Sequence, residues 1–250
     1  AKDNSPYAPE ASAKNIFMIP LEKLASDEYG NILSKATFNK IVANNPDKNN
    51  VDYDYVRKAY NVALKEAFNN GKNSKEFIEF KQQNEEKYEQ SAIFHLLNEL
   101  YDGKKWSSLD SNLYSTVDEV KANDRINELK SKYKNDYDFY IFNQMILEKE
   151  NEKSNKLARE TGVKIIGDSP VAQTAVDEWV NQKLFLKGKA IGCPPDYFSK
   201  DGQRWGFKYY APEKIFNKDG SLGEAGEVLK KKYEDYFASF PGGIRIDHVI

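Results

Sequence analysis

From residue 52 to about residue 160 the apolar side chains recur at helical spacing, and at Thr161-Gly162 that pattern stops. Val56, Tyr60, Ala63, Leu64, Ala67 and Phe68 share one face of a first helix, with Asp52 or Asp54 as cap and Gly71 as stop. Phe77, Phe80, Tyr88, Ala92, Leu96 and Leu100 continue the pattern over Ser74 to Leu100. Ser115 with Asp118 three residues on opens a further helical stretch, with a break expected near Asn135 to Asp138. The aromatic stripe of this region reads as core packing, and His95, on an apolar face, as a packing residue.

Behind Gly162 the rules change. Val163 to Gly167 is a short β-branched run that reads as a buried strand with Asp168 at its carboxyl end. A short helix is expected around Ala175 to Gln182, a Gly/Pro-rich loop over Gly188 to Ser199, and a helix over Glu224 to Phe240. Ile244 to His248 reads as a second strand, again with an acid, Asp247, near its carboxyl end. Strands alternating with helices predict an α/β fold with a parallel sheet or barrel, where polar residues at carboxyl strand ends are the usual catalytic positions. The expected organisation is an irregular segment over 1–50, a helical insertion over 51–160 and two βα units over 161–250.

Several function classes lose their support at once. Thirty-seven basic against 39 acidic side chains give a net charge of −2, which removes the electrostatic reason to expect nucleic acid or an anionic membrane. No apolar run approaches the roughly 18 residues of a membrane span. The single cysteine, Cys193, rules out an internal disulfide framework, and no Asn-x-Ser/Thr acceptor occurs, so the expected location is cytoplasmic. There is no Gly-rich phosphate loop, and His95 and His248 are too few and too far apart for a histidine metal motif.

The acids carry what chemistry remains. Arg245 and Asp247 stand two apart in a predicted strand, so their side chains point the same way. A carboxylate kept ionised by a neighbouring arginine suits nucleophilic attack at a sugar carbon, and the same spacing suits a structural ion pair equally well. The loop from Gly192 to Gly206 combines two prolines with Asp196, Tyr197, Phe198, Gln203 and Trp205. Aromatic faces beside acids and amides fit sugar recognition, or else a tightly packed surface loop.

The order VKIIGDSP (163–170), GCPPDYFSKDGQRWG (192–206) and IRIDH (244–248) resembles the 4-alpha-glucanotransferases, the amylomaltases or disproportionating enzymes of glycoside hydrolase family 77. Ser5-Pro6-Tyr7 looks like that family's substrate-contacting segment. The resemblance implies a partial TIM (β/α)8 barrel with a large helical insertion. It implies that Asp247 is the nucleophile and Arg245 the residue orienting it. It further implies that Tyr7, Asp168, Asp196, Tyr197, Gln203, Trp205 and His248 contact substrate. The implied reaction moves α-1,4-glucan segments between maltodextrins, such as those of starch or glycogen, by a retaining double displacement with no metal and no cofactor. The implied partners are maltooligosaccharides or other α-1,4-glucans.

The sequence departs from the family pattern after Pro170, at Phe207-Lys208-Tyr209-Tyr210 and after His248. No acid in the sequence can be assigned as the general acid, which the resemblance places on a strand beyond Ile250. The chain is therefore expected to be an internal piece of a larger enzyme, inactive alone and leaving open strand edges. A second reading is a glucan-binding relative with weakened transfer chemistry.

Overall fold

The computed structural model describes residues 13–46, 49–101, 108–111, 113–115, 119–170 and 173–246. In chain order the helices are α1 (Leu21–Leu24), α2 (Lys35–Ala43), α3 (Tyr53–Gly71), α4 (Lys75–Leu100), α5 (Ser108–Ser111), α6 (Glu119–Lys132) and α7 (Lys134–Thr161). These are followed by α8 (Ala175–Val180), α9 (Pro212–Ile215) and α10 (Glu224–Ser239). The strands are β1 (Gly167–Ser169), β2 (Ile191–Cys193), β3 (Gln203–Phe207) and β4 (Ile244–Ile246). The fold is thus mostly helical α/β. The chain divides into a helical unit, 13–103 with 125–150, and an α/β unit, 1–12 with 104–124 and 151–250.

In the helical unit, caps and periodicity act where the sequence places them. Asp52 accepts a hydrogen bond from Tyr55 N at 2.9 Å, and Ser74 Oγ accepts one from Phe77 N at 3.2 Å, which starts α3 and α4. Phe68 meets Phe77, Phe139 and Phe142 edge-on, with centroids 6.3, 5.7 and 5.5 Å away, so the aromatic stripe is core. Gly71 is the last residue of α3, and the Phe142 ring lies 2.8 Å from where its Cβ would stand, so a side chain there would clash. His95 is half-buried, set against the Tyr140 ring at 5.4 Å and beside Glu99 at 3.5 Å. The helical break falls at Tyr133, just ahead of the Asn135 to Asp138 stretch. Residues 35–43, read from sequence as irregular, form a helix that Ser34 caps through Thr37 N at 3.1 Å.

Polar contacts tie the start of the described chain to α7. The Gln144 side chain, only 1% exposed, accepts from Lys14 N at 3.0 Å and donates to Lys14 O at 3.1 Å. Lys14 Nζ reaches Glu148 at 2.7 Å, and Lys87 and Tyr88 donate to the same carboxylate. Burial works to raise the Glu148 pKa, but those three donors outweigh it and hold the carboxyl at about 2.

In the α/β unit, β1 and β4 pair in parallel, Gly167 opposite Ile244, Asp168 opposite Arg245 and Ser169 opposite Ile246. Each of these two strands has one strand partner among the described residues. The expected strand over Val163 to Gly167 lies elsewhere. Residues 163–166 have no regular structure, Val163 and Ile166 are about 60% and 62% exposed, and the strand starts at Gly167. Pairing with β4 begins where Gly167 meets Ile244, and the Phe240 ring, just past α10, lies 2.3 Å from an ideal Cβ there, so that position admits only glycine. Asp168 is therefore the central residue of the strand instead of the one past its end.

The expected loop over Gly188 to Ser199 is also corrected: Ile191–Cys193 and Gln203–Phe207 form an antiparallel hairpin. Leu184, Phe185, Tyr210 and Ala225 make a small core beside it, with Ile215, Val228 and Leu229 packed against it. Thr174 and Asp177 form a reciprocal capping box that starts α8.

Candidate active site

Two groups of sequence-read residues assemble within the α/β unit. The first is set by strand register. Side chains directly opposite in a parallel pair leave the same face, and Asp168 leaves the face opposite to the buried Gly167 and Ser169. Arg245 follows: its Nε donates to Asp168 Oδ1 at 2.8 Å and its Nη2 to Oδ2 at 2.7 Å. This is the two-pronged geometry that guanidinium and carboxylate planes favour. Both side chains are more than half exposed, 62% for Arg245 and 57% for Asp168. An exposed pair contributes little to stability, at most about 1 kcal/mol, so its value lies in fixing the orientation of two charged groups.

The ion pair weighed from sequence was Arg245 with Asp247. Asp247 and His248 lie outside the described residues, as does Tyr7. Among the described atoms, Arg245 engages Asp168.

The second group is the hairpin. Asp196 holds the loop between β2 and β3: its Oδ1 accepts from Phe198 N at 2.9 Å and Ser199 N at 2.7 Å. Asp196 N donates to Ser199 O at 2.9 Å, and Ser199 Oγ to Gly202 O at 2.7 Å. Gly202 adopts φ 70°, and the Cys193 carbonyl lies 2.5 Å from where its Cβ would be, so both conformation and space demand glycine. Asp196 thus spends one oxygen on the loop backbone, while its other, Oδ2, stands 3.8 Å from Cys193 Sγ.

This framework presents two aromatic rings to solvent. Tyr197 is 94% exposed and Phe198 89%, their rings edge-to-face at 5.4 Å. Burial does not explain two large rings held out in solvent side by side. Gln203 and Trp205 stand two apart in β3 on one face, and Trp205 Nε1 donates to Gln203 Oε1 at 3.0 Å. That bond orients the amide beside the indole.

The departures at Phe207 to Tyr210 are absorbed into structure. Lys208 pairs with Glu178 of α8 at 3.2 Å, and Tyr210 stacks on Phe185 at 4.5 Å in the small core. Burial pushes the Tyr210 hydroxyl well above the usual tyrosine range, helped by the negative charge of Asp177.

Sequence reading missed the Thr174–Asp177 capping box, although a Thr with an Asp three residues on was its signal. No group of three or more metal-ligating side chains occurs among the described residues. No helix among them is long and apolar enough to cross a membrane. An open cleft of about 410 Å³ in the helical unit involves none of the candidate site residues. Its Lys81 and Lys134 are already paired with Asp138.

A family model described as 4-alpha-glucanotransferase, glycoside hydrolase family 77, matches residues 1–250. The chain is 30% identical over 166 residues to the 4-alpha-glucanotransferase of Aquifex aeolicus, covering 63% of this chain and 33% of that protein. It is 27% identical over 220 residues to the 4-alpha-glucanotransferase of Clostridium butyricum, covering 83% of this chain and 43% of that protein. The chain thus spans less than half the length of these curated relatives. Its fold is similar, with TM-score 0.77 and 23% identity, to that of an amylomaltase from Streptococcus agalactiae in complex with acarbose. That likeness covers 98% of this chain and 49% of the solved one.

Proposed function

The chain belongs to the 4-alpha-glucanotransferase family, glycoside hydrolase family 77, and on that premise we propose that it transfers α-1,4-glucan segments between maltodextrins. The observation that carries the reading is the fork between Arg245 and Asp168, two residues before Asp247, in a chain matching the family throughout. The relative of known structure was solved with acarbose, which supports an α-glucan as ligand here. The parallel β1–β4 pair supports placing both strands as neighbours in a barrel.

The proposed chemistry is a retaining double displacement. The Asp247 carboxylate attacks the anomeric carbon, and the bond from that carbon to the glycosidic oxygen breaks. The leaving oxygen takes a proton from a general acid, a role to which no residue of this sequence is assigned. The 4-hydroxyl of an acceptor glucan then attacks the same carbon, gives its proton to the same group and releases Asp247. Arg245 sets the electrostatics of the nucleophile from two residues away and fixes Asp168, which we assign to a sugar hydroxyl. Tyr197, Gln203 and Trp205 are assigned to the sugar rings, Tyr197 by stacking and Gln203 by its oriented amide. Tyr7 and His248 complete the proposed substrate contacts, and Asp196 acts by shaping the hairpin.

Full-length protein incubated with maltotriose is expected to yield glucose and a ladder of longer maltodextrins. Asp247→Asn is expected to abolish that ladder and keep maltotriose binding. Maltotriose bound by the wild-type protein but never converted would overturn the transfer reading in favour of a binding protein.

A further inference from the structure

Lys232 of α10 is a cation used by none of the chemistry above. Its Nζ donates to Gln173 Oε1 at 3.0 Å and stands 5.9 Å from the centre of the Tyr236 ring. Burial lowers its pKa from the ordinary lysine value, and the Asp177 carboxylate of α8 acts against that shift. A desolvated ammonium is costly to maintain, so its placement calls for a role.

That role follows from what α10 touches. Phe240, at the end of the helix, covers Gly167 at the start of β1. Lys232, eight residues earlier and thus about 12 Å up the helix axis, holds Gln173. Gln173 lies four residues past β1 and directly before Thr174, the cap of α8. Helix α10 and its C-cap Phe240 therefore contact the chain on both sides of Asp168 in sequence, at Gly167 and at Gln173. Asp177, which closes the capping box with Thr174 N at 3.1 Å, is the carboxylate nearest in sequence to that anchor and acts on Lys232.

We infer that Lys232 is a positioning residue that, through its hydrogen bond to Gln173 four residues past β1, supports the alignment of Asp168 toward a bound sugar. The inference rests on the glucan-transfer reading given above. Lys232 touches no substrate; it acts through Gln173.

The test is a set of variants in the full-length protein. Lys232→Met keeps the aliphatic length and removes the donor. It is expected to raise KM for maltotriose about fivefold while kcat stays within about twofold, because uniform binding is lost and not the chemical step. Lys232→Arg, which can still donate to Gln173, is expected to restore KM. Gln173→Leu is expected to match Lys232→Met, and the double variant to be no worse than either, since one hydrogen bond is removed in all three.

An unchanged KM in Lys232→Met overturns the inference. So do additive effects in the double variant, or a parallel fall in kcat and melting temperature with no change in KM. Should Lys232→Met fail to fold, Gln173→Leu alone decides the matter by the same KM criterion. In the Asp247→Asn background, maltotriose Kd by calorimetry reads the same fivefold loss without turnover. A protein with no transfer would overturn the functional reading and leave the positioning of Asp168 to be decided by that Kd.

Discussion

Arg245 grips both carboxylate oxygens of Asp168, Nε on Oδ1 at 2.8 Å and Nη2 on Oδ2 at 2.7 Å, across the parallel pairing of β4 with β1. Lysine at position 245 would keep the charge and lose the fork. Arg245→Lys is expected to lower kcat/KM on maltotriose about 10- to 100-fold, the scale of losing an oriented contact at a reacting centre. The melting temperature should hardly move, because an exposed pair contributes at most about 1 kcal/mol. Full activity in Arg245→Lys would mean that charge alone suffices.

Gly167→Ala tests the steric argument for β1. A methyl group there would stand 2.3 Å from the Phe240 ring, closer than any relaxed contact. Overpacking of this kind costs about 1 to 3 kcal/mol, read as a lowered urea midpoint at unchanged slope. Phe240→Leu on the same background should recover part of the loss. Equal stability of wild type and Gly167→Ala would show that α10 can shift freely away from β1.

Glu148 makes acid stability predictable. Its pKa is held at about 2, below an unfolded value near 4.5, so the folded state favours the charged form. The stabilisation is fully present above about pH 4.5 and is lost as pH falls toward 2. Discounted for partial exposure, it amounts to about 2 kcal/mol. Glu148→Gln should lower stability at pH 7 by that order and flatten the loss between pH 4.5 and 2. A pH-stability curve identical to wild type would count against the three-donor cluster as its origin.

Tyr197 and Phe198 separate binding from folding. Both rings are almost wholly in solvent, so Tyr197→Ala and Phe198→Ala should change the melting temperature by no more than about 1 °C. The Tyr197 variant is expected to raise Kd for maltotriose about tenfold, the worth of one stacked ring at a sugar face. Asp196→Ala, which removes the acceptor for Phe198 N and Ser199 N, should weaken binding and also loosen the hairpin, seen as faster amide exchange at Phe198 and Ser199. Unaltered binding in all three variants would remove the hairpin from the site.

The helices were legible because their signals are local. Asp52 and Ser74 cap where a cap is needed, and apolar spacing marks the buried faces of α3 and α4. Helix α2 was hidden by its neighbours, since Gly30 and Pro46 look like breakers and Ser34 between them is an ordinary cap. The strands were less legible because their positions depend on partners remote in sequence. Val163 to Ile166 has strand composition, yet β1 begins at Gly167, whose fitness lies in the distant Phe240 ring. The hairpin was obscured by Pro194, Pro195 and Gly202, which mark a loop correctly but hide the three-residue strand before it. Of the candidate site, residue types and order were readable from sequence; that Arg245 meets Asp168 needed the strand register.

The grip of Gln144 on both backbone groups of Lys14 has an evolutionary corollary. A side-chain amide here imitates a neighbouring strand, and Glu148, one turn along α7, secures the same lysine. Each residue added or removed ahead of them within the helix turns their face by about 100°. Length changes in that half of α7 are therefore tolerable in steps of three, four or seven residues, whereas a single-residue slip would carry both grips away from Lys14. In the sequences of descendants and cousins, gaps in this stretch should come in phase.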